Sequence, residues 1–256
     1  MSVPDWRLAV DIGGTFTDVV LLDATSGDVV VDKTLTTPQN PLDGVRTGVG
    51  QLLRRANLTP SEVTAPIVHA TTLLTNALIE GKTGRAGLVT TQGFGDTLLI
   101  RDEHRYDLRS PKQTTFEDPR TVEIDERTTA QGVVNRAPSE DAMRAVADQL
   151  RAMDVASVGI CLLNSYVDAT NERTLAAYLE RELGVPVCIS ADVSPQLREY
   201  PRMVTTACNA STMPVIGPYL DELQKWVSGE GFGGAGLMML SHGGVVSAAG
   251  AARVPV

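Results

Sequence analysis

The stretch from Val10 to Asp23, VDIGGTFTDVVLLD, constrains the fold more than any other part of the chain. It sets an acid, two glycines and two hydroxyls around one tight turn between apolar runs. Leu8 to Ile12 predicts a buried strand and Val19 to Leu22 its returning partner, with Gly13 and Gly14 supplying the backbone freedom of a sharp reversal. Gly-Gly between two strands is also an ordinary hairpin signal. A hairpin alone, however, needs neither the carboxylates nor the hydroxyls that crowd this apex. Backbone N–H groups of such a turn, with the Thr15 and Thr17 hydroxyls, can converge on phosphate oxygens. Asp11, at the mouth of the turn, is then placed to hold Mg²⁺ through water, as that ion keeps much of its hydration shell. Asp18 has two equal readings: it orients a water or the metal, or it caps the turn.

A chain of 256 residues can bury a substantial core, as one large or two smaller domains. Its net charge of −9 argues against a general electrostatic grip on nucleic acid or an anionic membrane, so any bound anion must be held locally. No apolar run reaches bilayer length, and Met1 to Arg7 lacks the charged-then-apolar order of a signal peptide, which makes the cytoplasm the expected location. Cys161, Cys188 and Cys208 are widely spaced and odd in number. That fits reduced, buried thiols better than disulfides or a zinc site.

Val29 to Thr36 predicts a third strand, completing an antiparallel meander, and a helix follows with Leu42, Val45, Val49, Leu52 and Leu53 on one face and Pro41 in its first turn. A second strand-to-helix junction comes next, with Ile67 to His69 as strand and Thr72 to Glu80 as helix. Arg85 to Thr90 is a further strand and Gly93 to Ile100 a short helix. From Arg101 to about Arg136 the sequence turns charged and turn-rich, either a surface excursion or the entry to an inserted subdomain. An α/β set succeeds it: helix Ser139 to Met153 (inner face Met143, Val146, Leu150), strand Val155 to Leu163, helix Asn171 to Leu183 (inner face Leu175, Tyr178, Leu179) and strand Val187 to Ser190. A helical region from Pro201 to Val227 is expected to break near Pro214, Gly217 and Pro218. Gly229 to Gly236 then connects to a strand from Leu237 to Leu240, which ends at Ser241, His242, Gly243 and Gly244 before a short helix near Ser247.

Four segments, VDIGGTFTD, HATTLLTNALIEGK, LREYPRMVTTACNA and LSHGGVVSAAGAARVPV, in this order and at these separations, resemble the N-terminal part of the hydantoinase A, oxoprolinase and acetone carboxylase β-subunit family. The likeness spans essentially the whole chain, and the first motif also resembles the phosphate-1 loop of the wider actin-like ATPase and sugar kinase superfamily. The resemblance implies an α/β fold: an actin-like ATPase (ribonuclease H-like) N-terminal domain with a mixed sheet and an inserted smaller α/β subdomain. The corresponding division is 1–105, 106–195 and 196–256. It further implies ATP and Mg²⁺ as cofactors, and a cyclic amide such as hydantoin or 5-oxoproline, or a ketone to be carboxylated, as the small-molecule substrate. Phosphorylating an amide carbonyl oxygen makes a far better electrophile, a step that asks the protein for positioning rather than for a strong nucleophile.

Two departures from the family pattern stand out. HATT replaces the usual HGTT, so Ala70 lacks glycine's freedom, and family subunits continue well past Val256, towards a second phosphate loop. The chain is therefore expected to hold half of a nucleotide site and to bind ATP weakly, with a second subunit, a C-terminal domain or a second copy completing it. A sugar-kinase-like phosphotransferase and a noncatalytic assembly module are the competing functions.

The resemblance bears on further residues. His69, Thr71 and Thr72 sit at a strand end and a helix start, where free N–H groups favour an anion or a polarised carbonyl. Read alone, His69 suits a buried histidine with Thr72 as helix cap; the family pattern points instead to His69 as an acid or base, with Asp11 as its catalytic companion. Asn76, one turn on, faces the same site. Arg101, His104 and Arg109, and likewise Arg198 and Arg202, are either substrate-carboxylate contacts or members of solvated charged segments.

Overall fold

Alternation of polar and apolar residues along the first strands decides which side of the first sheet is covered. A computed structural model describes residues 4–37, 39–100, 120–240 and 243–255. Arg101, His104, Arg109, Ser241 and His242, with the roles expected of them, lie outside the described residues. The elements run β1 (Trp6–Ile12), β2 (Phe16–Asp23), β3 (Val29–Leu35), α1 (Pro41–Ala56), β4 (Ile67–Thr71), α2 (Leu73–Ile79), β5 (Ala86–Thr91), α3 (Thr97–Ile100), β6 (Arg120–Ile124), β7 (Arg127–Thr128), β8 (Val134–Arg136) and α4 (Glu140–Ala152). They continue with β9 (Ser157–Cys161), α5 (Thr170–Leu183), β10 (Val187–Ile189), α6 (Ser190–Val193), α7 (Glu199–Gly229), β11 (Gly236–Met239), β12 (Val245–Ser247) and α8 (Ala248–Arg253). No helix among the described residues is long and apolar enough to cross a membrane.

The chain forms two compact units, one of residues 1–82 with 215–255 and one of residues 83–214. The second begins earlier and ends later than the 106–195 drawn from sequence. The reason is that β5 pairs with β6 and β9, and Met203 and Ala207 of α7 pack on Leu88 and Cys161.

In the first unit the strand order is β12-β11-β4-β1-β2-β3. β1, β2 and β3 form the antiparallel meander, β4 lies parallel to β1, and β11 parallel to β4. This is the mixed sheet of a ribonuclease H-like, actin-type ATPase N-terminal domain. Leu8, Val10, Ile12, Val19 and Leu21 turn to one face, where they meet Leu42, Val45, Val49, Leu52 and Leu53 of α1 and Ile216, Tyr219, Leu220 and Leu223 of α7. The alternate residues Arg7, Ala9 and Asp11 are exposed on the opposite face. α1 starts as the sequence predicts: Pro41 is in its first turn, and the Asn40 side chain accepts from the Leu42 N–H. It lies so close to the sheet that a Cβ on Gly48 would fall 2.6 Å from a Val19 methyl and 3.2 Å from one of Thr34. Gly48→Val is therefore expected to cost about 1–3 kcal/mol despite the better helix former, a loss read from the urea midpoint.

The second unit is a wholly parallel sheet in the order β6-β5-β9-β10, with β7 and β8 as a separate hairpin. Of the two readings of the charged stretch, residues 120–136 follow the subdomain one, since they supply β6 to β8. Met143, Val146 and Leu150 of α4 and Leu175 and Leu179 of α5 are buried against the sheet, with Tyr178 partly buried, as their spacing predicts. All three cysteines are free thiols; burial pushes Cys161 and Cys188 up to about 12.

The expected break in the last long helix is absent: α7 continues through Pro214, Gly217 and Pro218. Pro214 has no N–H for the carbonyl of Ala210, one turn back, and Ser157 of β9 donates its hydroxyl to that carbonyl at 2.6 Å instead. A partner outside the helix thus satisfies the group the proline frees.

Candidate functional site

The turn between β1 and β2 is closed by its own backbone and by the end of β3. The Gly13 N–H donates to the Phe16 carbonyl at 2.9 Å, and the Thr36 N–H to the Thr15 carbonyl at 2.9 Å. The Thr36 hydroxyl donates to the Gly13 carbonyl at 2.9 Å and shares a 3.1 Å hydrogen bond with Thr17. Neither Gly13 nor Gly14 has a positive φ, so the reversal is made without left-handed backbone. A Cβ on Gly13 would lie 3.1 Å from the Phe16 carbonyl oxygen, and one on Gly14 3.6 Å from Nδ2 of Asn76.

That last approach brings the second junction to the first. The Thr72 N–H donates to the Ile12 carbonyl at 3.1 Å, its hydroxyl lies 3.4 Å from the same oxygen, and Asn76 Nδ2 donates to Thr72 Oγ1 at 3.3 Å. Asp11, Gly13, Gly14, Thr72 and Asn76 are therefore assembled at one end of the first sheet. Asp11 pairs in register with Asp18 on β2 and with Ala70 on β4, so all three belong to the open face. Ala70 lies in ordinary strand backbone, and replacing the family's glycine there demands no unusual φ. Asp11 makes no side-chain hydrogen bond or ion pair with the described residues, whereas Asp18 is 3.1 Å from Nζ of Lys33. Asp18 thus does not cap the turn.

Other expected members stand elsewhere. Thr17 is fully buried on the α1 face, bracing the turn through Thr36 rather than presenting its hydroxyl beside Asp11. The alternation Thr17, Val19, Leu21 carries that signal in the sequence. Thr15 is exposed at the apex. At the start of α2 the expected free N–H groups are partly used: Thr71 Oγ1 accepts from the Leu73 N–H at 3.0 Å, and Thr72 makes no side-chain cap. Arg198 belongs to the second unit, exposed and at φ 85° ahead of α7. Arg202 is wholly buried there, within a polar network of its own.

His69 faces the core, 1% exposed, with Nε2 2.6 Å from the hydroxyl of Tyr219. Burial, reinforced by the charge of Glu222, raises the Tyr219 hydroxyl, so it stays protonated and shares a hydrogen bond with Nε2 whose direction follows the imidazole tautomer. Burial also drives the imidazole down to about 4, offset only in part by a weak contact of the ring with the Val10 backbone. At neutral pH His69 is an uncharged ring held between β1, β4 and α7, with no solvent contact in this arrangement. Tyr219 lies 150 residues further along the chain, which is why sequence spacing does not reveal it.

Among the described residues no three His, Cys, Asp or Glu side chains gather as metal ligands. The donor set fits a cation that needs few protein ligands. One unpaired carboxylate beside exposed backbone suits hydrated Mg²⁺ and does not suit zinc.

The family described as the hydantoinase/oxoprolinase N-terminal region matches residues 7–183. Caprolactamase subunit alpha of Pseudomonas jessenii is 36% identical over 235 residues, covering 87% of this chain and 33% of that protein. Among solved structures, the nucleotide-free acetone carboxylase of a study of ATP-dependent acetone carboxylation is similar with a TM-score of 0.82 and 27% identity, over 98% of this chain and 38% of that one. The ATP-dependent caprolactamase of Pseudomonas jessenii gives 0.78 and 32%, over 94% and 36%. The chain thus spans about a third of the length of each of these relatives. With more than half its residues matched and an actin-type sheet carrying the glycine turn, the chain belongs to the hydantoinase/oxoprolinase N-terminal region family.

Proposed function

We propose that the turn at Gly13 to Phe16, with Asp11, holds the phosphates and the Mg²⁺ of ATP, and that the chain is the ATP-binding part of an enzyme opening cyclic amides. The unpaired carboxylate of Asp11 carries this reading. It stands on the open face beside a turn whose geometry is held by hydrogen bonds to the Phe16 carbonyl and from Thr36. An isolated surface carboxylate is ordinary, but one set against a braced Gly-Gly turn meets the needs of phosphate and metal together.

Bound ATP would supply the phosphoryl group that converts an unreactive amide carbonyl into an electrophile. The chain's own residues position it. The exposed backbone of Gly14 and Thr15 would hold the phosphates, Asp11 would hold the metal through water, and Asn76 would offer its amide next to Gly14. Thr17 and Thr36 act from behind, keeping the turn in one conformation. The amide-hydrolase reading is supported by the 36% identity to the caprolactamase subunit. Ketone carboxylation is the second reading, favoured by the similarity of the fold to acetone carboxylase.

Calorimetric titration with Mg·ATP tests the site. Asp11→Ala is expected to weaken binding by about tenfold or more, equivalent to about 1.4 kcal/mol. Equal affinity of the two proteins would remove Asp11, and with it this reading of the turn. Heat or turnover appearing with lactams rather than ketones would decide between the substrate classes.

A further inference from the structure

A chain of net charge −9 offers a polyphosphate no general attraction, so a phosphate site on it needs a cation placed locally. The six strands of the first sheet carry only two Lys or Arg residues, Arg7 and Lys33. Arg7 lies four residues along β1 from Asp11, about 13 Å away, and is paired with Asp5 at 2.9 Å. Lys33 is different. Asp11 opposes Asp18 across β1 and β2, and Asp18 opposes Lys33 across β2 and β3, so the three stand in one row on the open face.

Two contacts hold Lys33 in that row. Its Nζ is 3.1 Å from Oδ1 of Asp18, and it sits 4.9 Å from the ring centroid of Phe16, the residue whose carbonyl closes the turn. The same strand leads directly into Thr36, which ties the Gly13 and Thr15 carbonyls, so the position of Lys33 is geared to that of the turn. Both partners of the ion pair are about half exposed, with side-chain exposures of 54% and 46%. Such a surface pair contributes little, so the ammonium exchanges Asp18 for a stronger anion at small cost.

We infer that Lys33 is the phosphate-binding cation of this site, kept within reach of the turn by Asp18 and the Phe16 ring. The inference rests on the phosphate reading of the turn and adds to it a residue that no sequence motif marks. Asp18 becomes a positioning residue for Lys33 rather than a metal ligand.

The test is titration of Mg·ATP into the wild-type chain, Lys33→Ala, Lys33→Arg and Asp11→Ala, each verified as folded by circular dichroism, at low and at high potassium chloride. Lys33→Ala is expected to weaken binding by about tenfold or more at low salt, with most of the affinity restored in Lys33→Arg. The gap between wild type and Lys33→Ala should narrow at high salt, as a screened charge contact requires and a packing defect does not. A gap unchanged by salt overturns the inference, because the lysine would then act through structure. Unchanged affinity in Lys33→Ala alongside a weakened Asp11→Ala overturns the role of Lys33 and leaves the turn's role standing. A folded wild-type chain that binds no Mg·ATP overturns both.

Discussion

Replacing Arg202 with alanine is expected to destabilise the second unit by about 3–5 kcal/mol, among the largest losses a single substitution in this protein should produce. The guanidinium is wholly buried. It donates to Ser165 Oγ, to Ser190 Oγ at 3.1 Å and to the Leu162 carbonyl at 2.8 Å, with Glu199 3.7 Å away. On the other side of the two serines lies Glu172, also buried. It accepts from Ser190 Oγ at 2.6 Å and from the N–H groups of Leu162 and Ala191 at 2.8 and 3.0 Å. The network thus joins the ends of β9 and β10 to the starts of α5, α6 and α7. Removing the cation takes a donor from both hydroxyls and from the Leu162 carbonyl, which then keeps the Ser165 hydroxyl at 3.0 Å, and leaves these buried groups with fewer partners. Burial raises the Glu172 carboxyl, and its hydrogen bonds to Ser190, Leu162 and Ala191 offset that rise in part. Urea unfolding at neutral pH checks this, and a loss below about 1 kcal/mol would show that the network is not what holds these ends together.

Sequence alone shows Arg202 only as a charged residue in LREYPR, and the contrast with α1 explains why. The face of α1 is written locally: Leu42, Val45, Val49, Leu52 and Leu53 recur at helical spacing behind Asn40 and Pro41, and all five are buried. The meander and the glycine turn are equally local, as is the placement of Asp11 opposite the buried Val10. What escapes is set by distant partners. The continuity of α7 depends on Ser157, 53 residues before the Ala210 carbonyl it satisfies, and the burial of His69 depends on Tyr219. Lys33 enters the site through strand register, which fixes neighbours that no spacing along one strand reveals. Thr17 is the opposite case. The motif draws it towards phosphate, while the alternation in its own strand places it on the core face.

The second large effect is expected from acid. His69 is buried as the neutral ring, and its folded-state value of about 4 lies below the ordinary value of 6.5 that it regains on unfolding. Above pH 6.5 neither state binds the proton, and the stability associated with the buried ring is fully present. As pH falls from 6.5 towards 4 the unfolded chain takes up a proton that the folded chain refuses, so stability is lost across that window; below about 4 both states are protonated and the loss levels off. A depression of this size corresponds to about 3 kcal/mol. The chain's two other histidines and its carboxylates also titrate in acid, and the quantity to measure is therefore a difference. Unfolding free energies of wild type and His69→Phe, followed from pH 7.5 to 4.5, should converge as the pH falls, because the variant has no imidazole to protonate. Imidazole resonances give an independent reading: the His69 ring signals should stay unmoved through pH 6, while an exposed histidine titrates there. A His69 midpoint near 6.5, or parallel stability curves for the two proteins, would show that the ring is reached by water and protons. The acid–base role suggested by the family pattern would then have the access it needs. With the ring closed in as described, that role requires the hydrogen bond to Tyr219 to open first.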